Sequence, residues 1–171
     1  MSERKQLIFD EGLRLFPYKC TSGKITIGIG RNLQGNPLKA DECMTFLLGR
    51  SDLKVNNTDI KAVREMLLKS FYEKGIAESE AYYLFENDYR KVEKQVDSLF
   101  FWLTNHPEEV RKILINMTFQ MGINRIATFR KMIAAIKAKD YKTASEEMKD
   151  SNWYKQTTNR AERLKKRMEM I

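Results

Sequence analysis

Hydrophobic and polar residues alternate over one short stretch near the start of the chain. In KITIGIG, Ile25, Ile27 and Ile29 alternate with Thr26 and with glycines. A period of two is typical of a half-buried β-strand. Pro17 ends any preceding helix, so FPYKC, TSG and KITIGIG together predict a strand, a turn and a second strand. RNLQGNP then continues as a third short strand or a loop.

The rest of the chain has mainly the periodicity of helices. Between residues 78 and 100 most apolar side chains are three or four residues apart, as on one face of a long helix: Ala81, Leu84, Phe85, Tyr89, Val92, Val96 and Leu99. Further helices are expected over 2–13, 38–50, 60–75, 107–122, 129–140 and 141–149, and over a final basic segment with Thr158 as candidate N-cap. We therefore expect about seven to nine helices and one small antiparallel sheet, a predominantly helical α+β fold.

Composition and charge describe a folded, basic protein. Thirty-one Lys and Arg against 23 Asp and Glu leave a net charge of +8. This charge predicts attraction to nucleic acid, anionic lipid or an anionic cell-wall polymer, without distinguishing them. The sequence contains no apolar run of about 18 residues, so no membrane-spanning helix is predicted. The segment MSERKQLIFDEG lacks the apolar region of a signal peptide, and the only cysteines are Cys20 and Cys43, so we expect free thiols in a reducing cytosol.

Three side chains around the predicted hairpin suit the hydrolysis of a glycosidic bond. Glu11 is followed after eight residues by Cys20, and after five more by Thr26. Each alone has an ordinary structural explanation: a solvated acid at a helix end, a small buried thiol and a good strand residue. Beside glycines that permit close backbone approach, the three together could line a cleft. Glycoside hydrolysis needs a proton donor and a second group that activates water or attacks the sugar.

The spacing of Glu11, Cys20 and Thr26 resembles the catalytic signature of the phage-type lysozymes, glycoside hydrolase family 24, and in particular those of T-even phages. The middle position in this family is Asp or Cys. The blocks DEGLRL, TIGIG, GRNL, INMTFQMG and WYKQTTNRA also resemble the family, in the same order. The resemblance implies an enzyme that cuts the β-1,4 bond between N-acetylmuramic acid and N-acetylglucosamine in peptidoglycan.

The resemblance also implies how the chain is organised. One lysozyme domain would contain an N-terminal lobe with the small sheet, at about 13–75, including an insertion at about 37–75. The helical C-terminal lobe would span about 101–171 and include the first helix, 2–12. The long helix at about 78–100 would join the two lobes.

The catalytic roles follow by resemblance. Glu11 would be the general acid, and Cys20 would replace the Asp that assists the attacking water in the best-known relatives. A free thiol has a pKa of about 8.5, which Lys19 and Lys24 would lower if they faced it. Cys20 would act either as a base that orients water or as a nucleophile, and the sequence leaves both open. Thr26 would position the water or contact the sugar.

Five other positions match residues that line the substrate cleft in the family: Asn32, Asn116, Phe119, Gln120 and Arg160. Asn116 and Gln120 are four residues apart and therefore lie on one face of a helix. Hydrophobic packing explains Phe119 equally well. The arginine matched by Arg160 approaches the catalytic acid in the family, and its charge would favour the ionised form of that acid.

A structural ion pair is expected between Arg31 and Asp88. Relatives have a histidine at the first position and an acid at the second, so by resemblance the pair supports the fold and takes no part in catalysis. The single His106 has no partners at the spacing of metal ligands. We expect neither a metal nor another cofactor.

Three other functions stay open at the level of sequence. The basic final helix would suit a nucleic-acid-binding module, but no binding motif is present and the basic residues are spread along the chain, so no nucleic-acid partner is expected. RAERLKKRMEMI is basic and amphipathic, which predicts weak contact of the C-terminal helix with anionic membranes. A lysozyme fold without catalysis is the third alternative, against which the intact signature argues.

The resemblance completes the picture of partners and location. We expect a monomer that accumulates in the host cytoplasm. It would act on the periplasmic cell wall after the membrane has been permeabilised, with a holin assisting its release.

Overall fold

The computed structural model describes residues 2–20, 23–54 and 59–171. Within these ranges the chain forms three strands, ten α-helices and one 3₁₀ helix. The strands are β1 (Arg14–Lys19), β2 (Ile25–Gly28) and β3 (Arg31–Asn32). The α-helices are α1 (Glu3–Glu11), α2 (Ala40–Leu48), α3 (Ile60–Lys74), α4 (Glu78–Leu99), α5 (Glu108–Met121), α6 (Ile123–Ile126), α7 (Arg130–Lys137), α8 (Tyr141–Lys149), α9 (Asn152–Gln156) and α10 (Thr158–Glu169). The 3₁₀ helix is Phe101–Asn105.

The predicted α+β class is confirmed, and the three strands form one antiparallel sheet in the order β1-β2-β3. The pairing of β1 with β2 is irregular between Arg14 and Tyr18. The predicted turn TSG and the predicted loop SDLKVNNTD fall partly on residues outside the described ranges.

The described chain divides into two compact units. The first, called here the hairpin unit, is Lys5–Asp88; the second, the helical unit, is Met1–Arg4 together with Tyr89–Ile171. The unit boundaries therefore fall inside α1 and inside α4. The lobe boundaries and the insertion expected from the resemblance stay predictions.

The core of the hairpin unit lies among β2, α2, α3 and the first half of α4. Phe46 and Phe71 are fully buried, and their ring centroids are 4.9 Å apart. Cys43 is 1% exposed in the same cluster and acts as a small hydrophobic side chain. Neither Cys20 nor Cys43 forms a disulfide bond. The alternation in β2 thus reflects Ile27 facing this core.

The helical unit is centred on α5, which is buried along most of its length between Val110 and Thr118. α10 packs against α5 and α8, and α8 packs against α7. The apolar positions of α10 are completely buried: Ala161, Leu164 and Met168 are each 0% exposed. The amphipathic pattern of the final helix is therefore explained by packing within this unit.

Two sequence expectations need correction. The N-cap of α10 is Thr157 rather than Thr158, and the Thr157 hydroxyl donates to the Trp153 carbonyl oxygen at 2.9 Å instead of capping the helix. The expected number of helices was too low because α6 and α9 have four and five residues, too few to show a helical period.

Within the described ranges, none of the helices has the length and apolar character needed to traverse a bilayer.

Candidate active site

The sheet brings four side chains onto one face. Tyr18 on β1 pairs with Thr26 on β2, and Thr26 pairs with Asn32 on β3. The Cys20 N–H donates to the Lys24 carbonyl oxygen at 2.9 Å, which extends the ladder beyond Tyr18. Cross-strand partners, and residues two apart on a strand, point to the same side of a sheet. Tyr18, Cys20, Thr26 and Asn32 therefore share a face, which we call the hairpin face.

Glu11 is the last residue of α1, and its carboxylate lies against the backbone of Gly30. A β-carbon at Gly30 would lie 2.9 Å from Glu11 Oε2 and 3.2 Å from Glu11 Cδ. Gly30 also has a φ of +77°, which glycine adopts at little cost. Because Gly30 directly precedes β3, this contact places the carboxylate beside the sheet.

Tyr18 links the acid and the thiol electrostatically. Burial raises the pKa of the Tyr18 phenol, Arg14 lowers it in part, and the negative charges of Glu11 and Cys20 raise it further. The Arg14 guanidinium lies 4.6 Å from the centre of the Tyr18 ring. Tyr18 was not among the predicted site residues, although its place two residues before Cys20 could have indicated it.

The members of the hairpin face differ in accessibility. Thr26 is 3% exposed, and its hydroxyl donates to the Lys24 carbonyl oxygen at 3.2 Å. Cys20 and Asn32 are half-buried. The Asn32 side-chain oxygen accepts from the backbone N–H groups of Gln34 and Gly35, which fixes the turn after β3. Cys20 is thus more accessible to a substrate than Thr26.

The predicted pair of Arg31 and Asp88 is confirmed, and it is part of a larger network. Arg31 is 1% exposed, and its Nε donates to Asp88 Oδ2 at 2.6 Å. Its two terminal nitrogens donate to both carboxylate oxygens of Glu42, at 2.9 and 2.7 Å. Glu42 is 0% exposed and also accepts from Asn87 Nδ2 and from the Lys39 N–H. Glu42, the more buried of the two acids, was not predicted from the sequence.

The Arg31 guanidinium contacts both carboxylates of this network, but the pKa of Glu42 is lowered and that of Asp88 is raised. Burial opposes ionisation of Glu42, but its hydrogen bonds with Arg31 and the Lys39 N–H outweigh it and lower the pKa of Glu42 from 4.5 to about 2. Burial dominates at Asp88 and raises its pKa, although Arg31 and Asn36 lower it in part. Since Arg31 lies between Gly30 and Asn32, the network anchors the segment that contacts Glu11 and pairs with Thr26.

Two of the predicted residues of the helical unit form a buried polar cluster. Asn116 is 0% exposed; its Nδ2 donates to Glu3 Oε1 at 2.6 Å, and its Oδ1 accepts from Arg160 Nε at 2.8 Å. Arg160 is 9% exposed and also donates to the Asn116 carbonyl oxygen. Glu3 additionally accepts from Arg167 at 2.6 Å. The cluster joins the start of α1, α5 and α10 within this unit.

The other two predicted residues of this unit lie near the C-terminal end of α5. Gln120 Oε1 accepts from the Trp153 indole N–H at 2.7 Å, and Phe119 is half-buried. Trp153 also lines a pocket of about 410 Å³ whose walls carry both signs of charge, including Arg125 and Glu147. None of the predicted site residues is among those that line this pocket. Among the described residues, no group of three or more potential metal ligands is found.

Comparison with known proteins gives the family. The family model for phage lysozyme matches residues 9–170. The chain belongs to the phage lysozyme family. Similar proteins include the probable T4-type lysozymes 1 and 2 of Dictyostelium discoideum, each 33% identical over 95% of this chain and 91% of its own length. The pre-baseplate central spike protein Gp5 of Enterobacteria phage T4 is 32% identical over 96% of this chain, but over only 27% of its own length.

Family membership identifies the reaction class. This lysozyme is a glycoside hydrolase that acts on peptidoglycan. The resemblance noted in the sequence is confirmed, whereas the catalytic use of Cys20 in place of Asp stays a prediction. The family occurs both in phages and in a cellular organism, so membership alone does not specify a biological setting.

Proposed function

We propose that this lysozyme is a phage endolysin that cuts the β-1,4 bond between N-acetylmuramic acid and N-acetylglucosamine and so lyses the host cell. Glu11 acts as the general acid that protonates the leaving oxygen. Cys20 and Thr26 act at the sugar carbon or on the attacking water. The observation that supports these roles most strongly is that the backbone bond of Cys20 to Lys24 continues the β1–β2 ladder onto the face that holds Thr26, while the Glu11 carboxylate lies against Gly30, directly before β3.

The products of digestion test which bond is cut. Purified peptidoglycan digested to completion is reduced with borohydride, and the reduced sugar ends are identified by mass spectrometry. Cleavage after N-acetylmuramic acid gives reduced muramic ends. Reduced glucosamine ends would show that the other glycosidic bond is cut and would contradict the proposal.

Two routes are open to Cys20. In the first, the Cys20 thiolate accepts a proton from water while the water oxygen attacks C1 and the glycosidic bond breaks, which inverts the anomeric carbon. In the second, Sγ attacks C1 and forms a thioglycosyl bond as Glu11 protonates the leaving oxygen. A water molecule then gives a proton to the Glu11 carboxylate as its oxygen attacks C1 and the C1–Sγ bond breaks, which frees the Cys20 thiolate and the sugar with net retention. In both routes the proton from Glu11 leaves with the departing sugar.

Alkylation and substitution test whether Cys20 is needed at all, and the stereochemistry of the product distinguishes the two routes. Alkylation of Cys20 is expected to abolish activity, because either route needs the sulfur. Cys43 is buried and serves as an internal control for the specificity of the reagent. Proton NMR of the first product then gives the anomer: inversion supports the water-activating role and retention supports the nucleophile. Full activity of both the alkylated protein and a Cys20→Ser variant would show that Cys20 has no chemical role.

The remaining predicted residues are proposed to hold the glycan strand. Asn32 and Gln120 are half-buried and offer amide groups, and Phe119 offers an apolar surface. Arg160 is proposed to contact substrate through the guanidinium, whereas the buried Asn116 orients that guanidinium through its 2.8 Å hydrogen bond. Since the oriented guanidinium is proposed to bind substrate, Asn116→Ala should raise KM more than it lowers kcat.

The biological setting is also a proposal. The protein accumulates in the host cytoplasm and reaches the periplasmic wall only after a holin or another agent opens the membrane. Its cytoplasmic expression in Gram-negative cells should leave growth unaffected until the inner membrane is permeabilised, and lysis should then follow. Glu11→Gln is the matched control and should not lyse the cells. Lysis without permeabilisation would contradict the need for a separate release step.

A further inference from the structure

The helical unit carries an exposed apolar segment outside the candidate active site. The segment runs from Leu99 through the 3₁₀ helix to His106 and contains no Asp, Glu, Lys or Arg. Phe101 is 76% exposed and Leu99 is 43% exposed, while Trp102 is half-buried. Scattered single apolar residues on a surface need no explanation, whereas a contiguous exposed group of them is a candidate interaction site.

Ring contacts hold this segment in place. Phe100 is 3% exposed and anchors it in the core, with its ring centroid 5.7 Å from that of Trp102. The Trp102 and His106 rings meet edge to face at 5.2 Å. His106 Nδ1 lies 3.0 Å from the Tyr141 hydroxyl. We call Leu99, Phe101, Trp102, His106 and Tyr141 the aromatic patch.

Lysines border the aromatic patch. Lys137 Nζ lies 5.3 Å from the centre of the Trp102 ring, a cation–π contact. Lys139, between α7 and α8, and Lys142, in the first turn of α8, are exposed. Asp140, the one acid in the sequence between Lys137 and Lys142, accepts from the Thr143 N–H and caps α8. On the α7–α8 side, Lys137, Lys139 and Lys142 therefore outnumber Asp140 by three to one, while the acids that flank the segment in sequence, Asp97 and Glu108, both pair with Arg111.

His106 does not change this balance at neutral pH. Burial lowers the pKa of His106, and the positive charge of Lys139 lowers it further. The lowered pKa favours the uncharged imidazole, which keeps the centre of the aromatic patch apolar.

We propose that the aromatic patch docks on the surface of an anionic phospholipid membrane. Phe101 would enter the boundary between headgroups and acyl chains. The half-buried Trp102 and Tyr141 would remain at the headgroup level, where amphipathic rings concentrate in membrane proteins. Lys137, Lys139 and Lys142 would contact lipid phosphates. An apolar centre with a cationic border is the pattern of proteins that lie in the membrane interface.

The observations favour a membrane over a glycan at this surface. Sugar rings stack on flat aromatic faces, whereas Lys137 covers one face of Trp102 and the neighbouring rings meet at 69° to 81°. In the C-terminal segment, Ala161, Leu164 and Met168 are buried, and the exposed apolar residues are Met170 and Ile171, beyond the end of α10. The predicted contact of that segment with membranes stays a prediction. The aromatic patch offers exposed apolar area and positive charge together.

Vesicle co-sedimentation with matched phenylalanine variants tests the apolar part of the proposal. The wild type should bind vesicles that contain phosphatidylglycerol and should bind pure phosphatidylcholine vesicles much more weakly. Phe101→Ser should lower the affinity about tenfold or more, since burying one phenylalanine side chain contributes on the order of that factor. Phe9→Ser is the control, because Phe9 on α1 is also 76% exposed. Equal losses in the two variants would contradict a specific patch.

Paired lysine variants test the electrostatic part. Replacing Lys137 and Lys142 by Gln should weaken binding by about fivefold for each lysine at low salt. Replacing the exposed Lys61 and Lys69 by Gln removes the same charge from the hairpin unit and should have a smaller effect. An equal effect of both pairs would show that only the net charge of the protein attracts it to lipid.

Tryptophan fluorescence provides a second measurement on the unmodified protein. Trp153 is 2% exposed, so a blue shift on addition of anionic vesicles should come from the half-buried Trp102. No shift at vesicle concentrations that bind the protein would contradict insertion of the patch.

In a separate experiment, purified peptidoglycan is mixed with Glu11→Gln protein. Loss of wall binding in a Glu11→Gln, Phe101→Ser double variant, with vesicle binding unchanged, would assign the patch to glycan instead.

Discussion

At the scale of single residues, Gly30 determines where the carboxylate of Glu11 can lie. A methyl group at this position would come within 2.9 Å of Glu11 Oε2. Gly30→Ala should therefore displace the carboxylate and lower kcat by about 10²-fold, the effect expected when a reacting group moves by about 1 Å. The measurement is the initial rate on purified peptidoglycan at 25 °C.

Gly23→Ala is the matched control for the backbone strain of that substitution. Gly23 has a φ of +76° against +77° for Gly30, but a β-carbon there would meet nothing within 4 Å. Both variants should lose about 1–2 kcal/mol of stability, because alanine is strained in this conformation. Only Gly30→Ala should lose activity. Equal rates for the two variants would show that Glu11 does not depend on this contact.

The residue scale also shows what a sequence can predict about a site. The period of two predicted the strand β2, and the resemblance to the family selected Cys20, Thr26 and Asn32, which the strand pairing places on one side of the hairpin. Tyr18 was missed although the same period places it there, because a tyrosine in a strand is ordinary and carries no catalytic expectation. Glu42 was missed because no local pattern predicts which distant acid will meet a buried arginine.

At the scale of elements, the bond network of Glu42 joins α2 to β3. Glu42 is fully buried and receives both terminal nitrogens of Arg31. Glu42→Gln keeps the shape of the side chain but removes the charge, and should lower the free energy of unfolding by about 3 kcal/mol. Urea denaturation at pH 7 measures the loss. Asp52→Asn, in the exposed pair with Lys74, should leave the midpoint nearly unchanged and is the control.

The pH dependence of the same variant tests the charge of Glu42 directly. Its pKa in the folded protein is about 2, below its ordinary 4.5, so its stabilising effect is complete above about pH 4.5 and is lost as the pH falls towards 2. The difference in stability between wild type and Glu42→Gln should therefore shrink between pH 5 and pH 3. A difference that stayed constant over this range would show that Glu42 acts through shape alone.

Elements of different length were predictable to different degrees. The 22 residues of α4 show their apolar face clearly, and the predicted span of 78–100 agrees with Glu78–Leu99. The five-residue helix α9 was not predicted, because its cap by Ser151 and its packing through Trp153 depend on tertiary contacts. A long helix can be predicted from its own apolar period, whereas the formation of a short helix depends on tertiary contacts with neighbouring elements.

At the scale of the whole molecule, the predicted site residues are divided between the two units. The hairpin unit contains Glu11, Cys20, Thr26 and Asn32, and the helical unit contains Asn116, Phe119, Gln120 and Arg160. The net charge of +8 is consistent with an anionic polymer as substrate. The class of reaction follows from the family, whereas the assignment of the acid rests on the position of Glu11.

The central claim is that Glu11 is the acid of a working lysozyme. The most direct test is the loss of turbidity of permeabilised Gram-negative cells, with wild type and Glu11→Gln compared at equal concentration. Circular dichroism first establishes that both proteins are equally folded. The wild type should clear the suspension and Glu11→Gln should not. Clearing by Glu11→Gln at the wild-type rate, or no clearing by the folded wild type, would contradict the account.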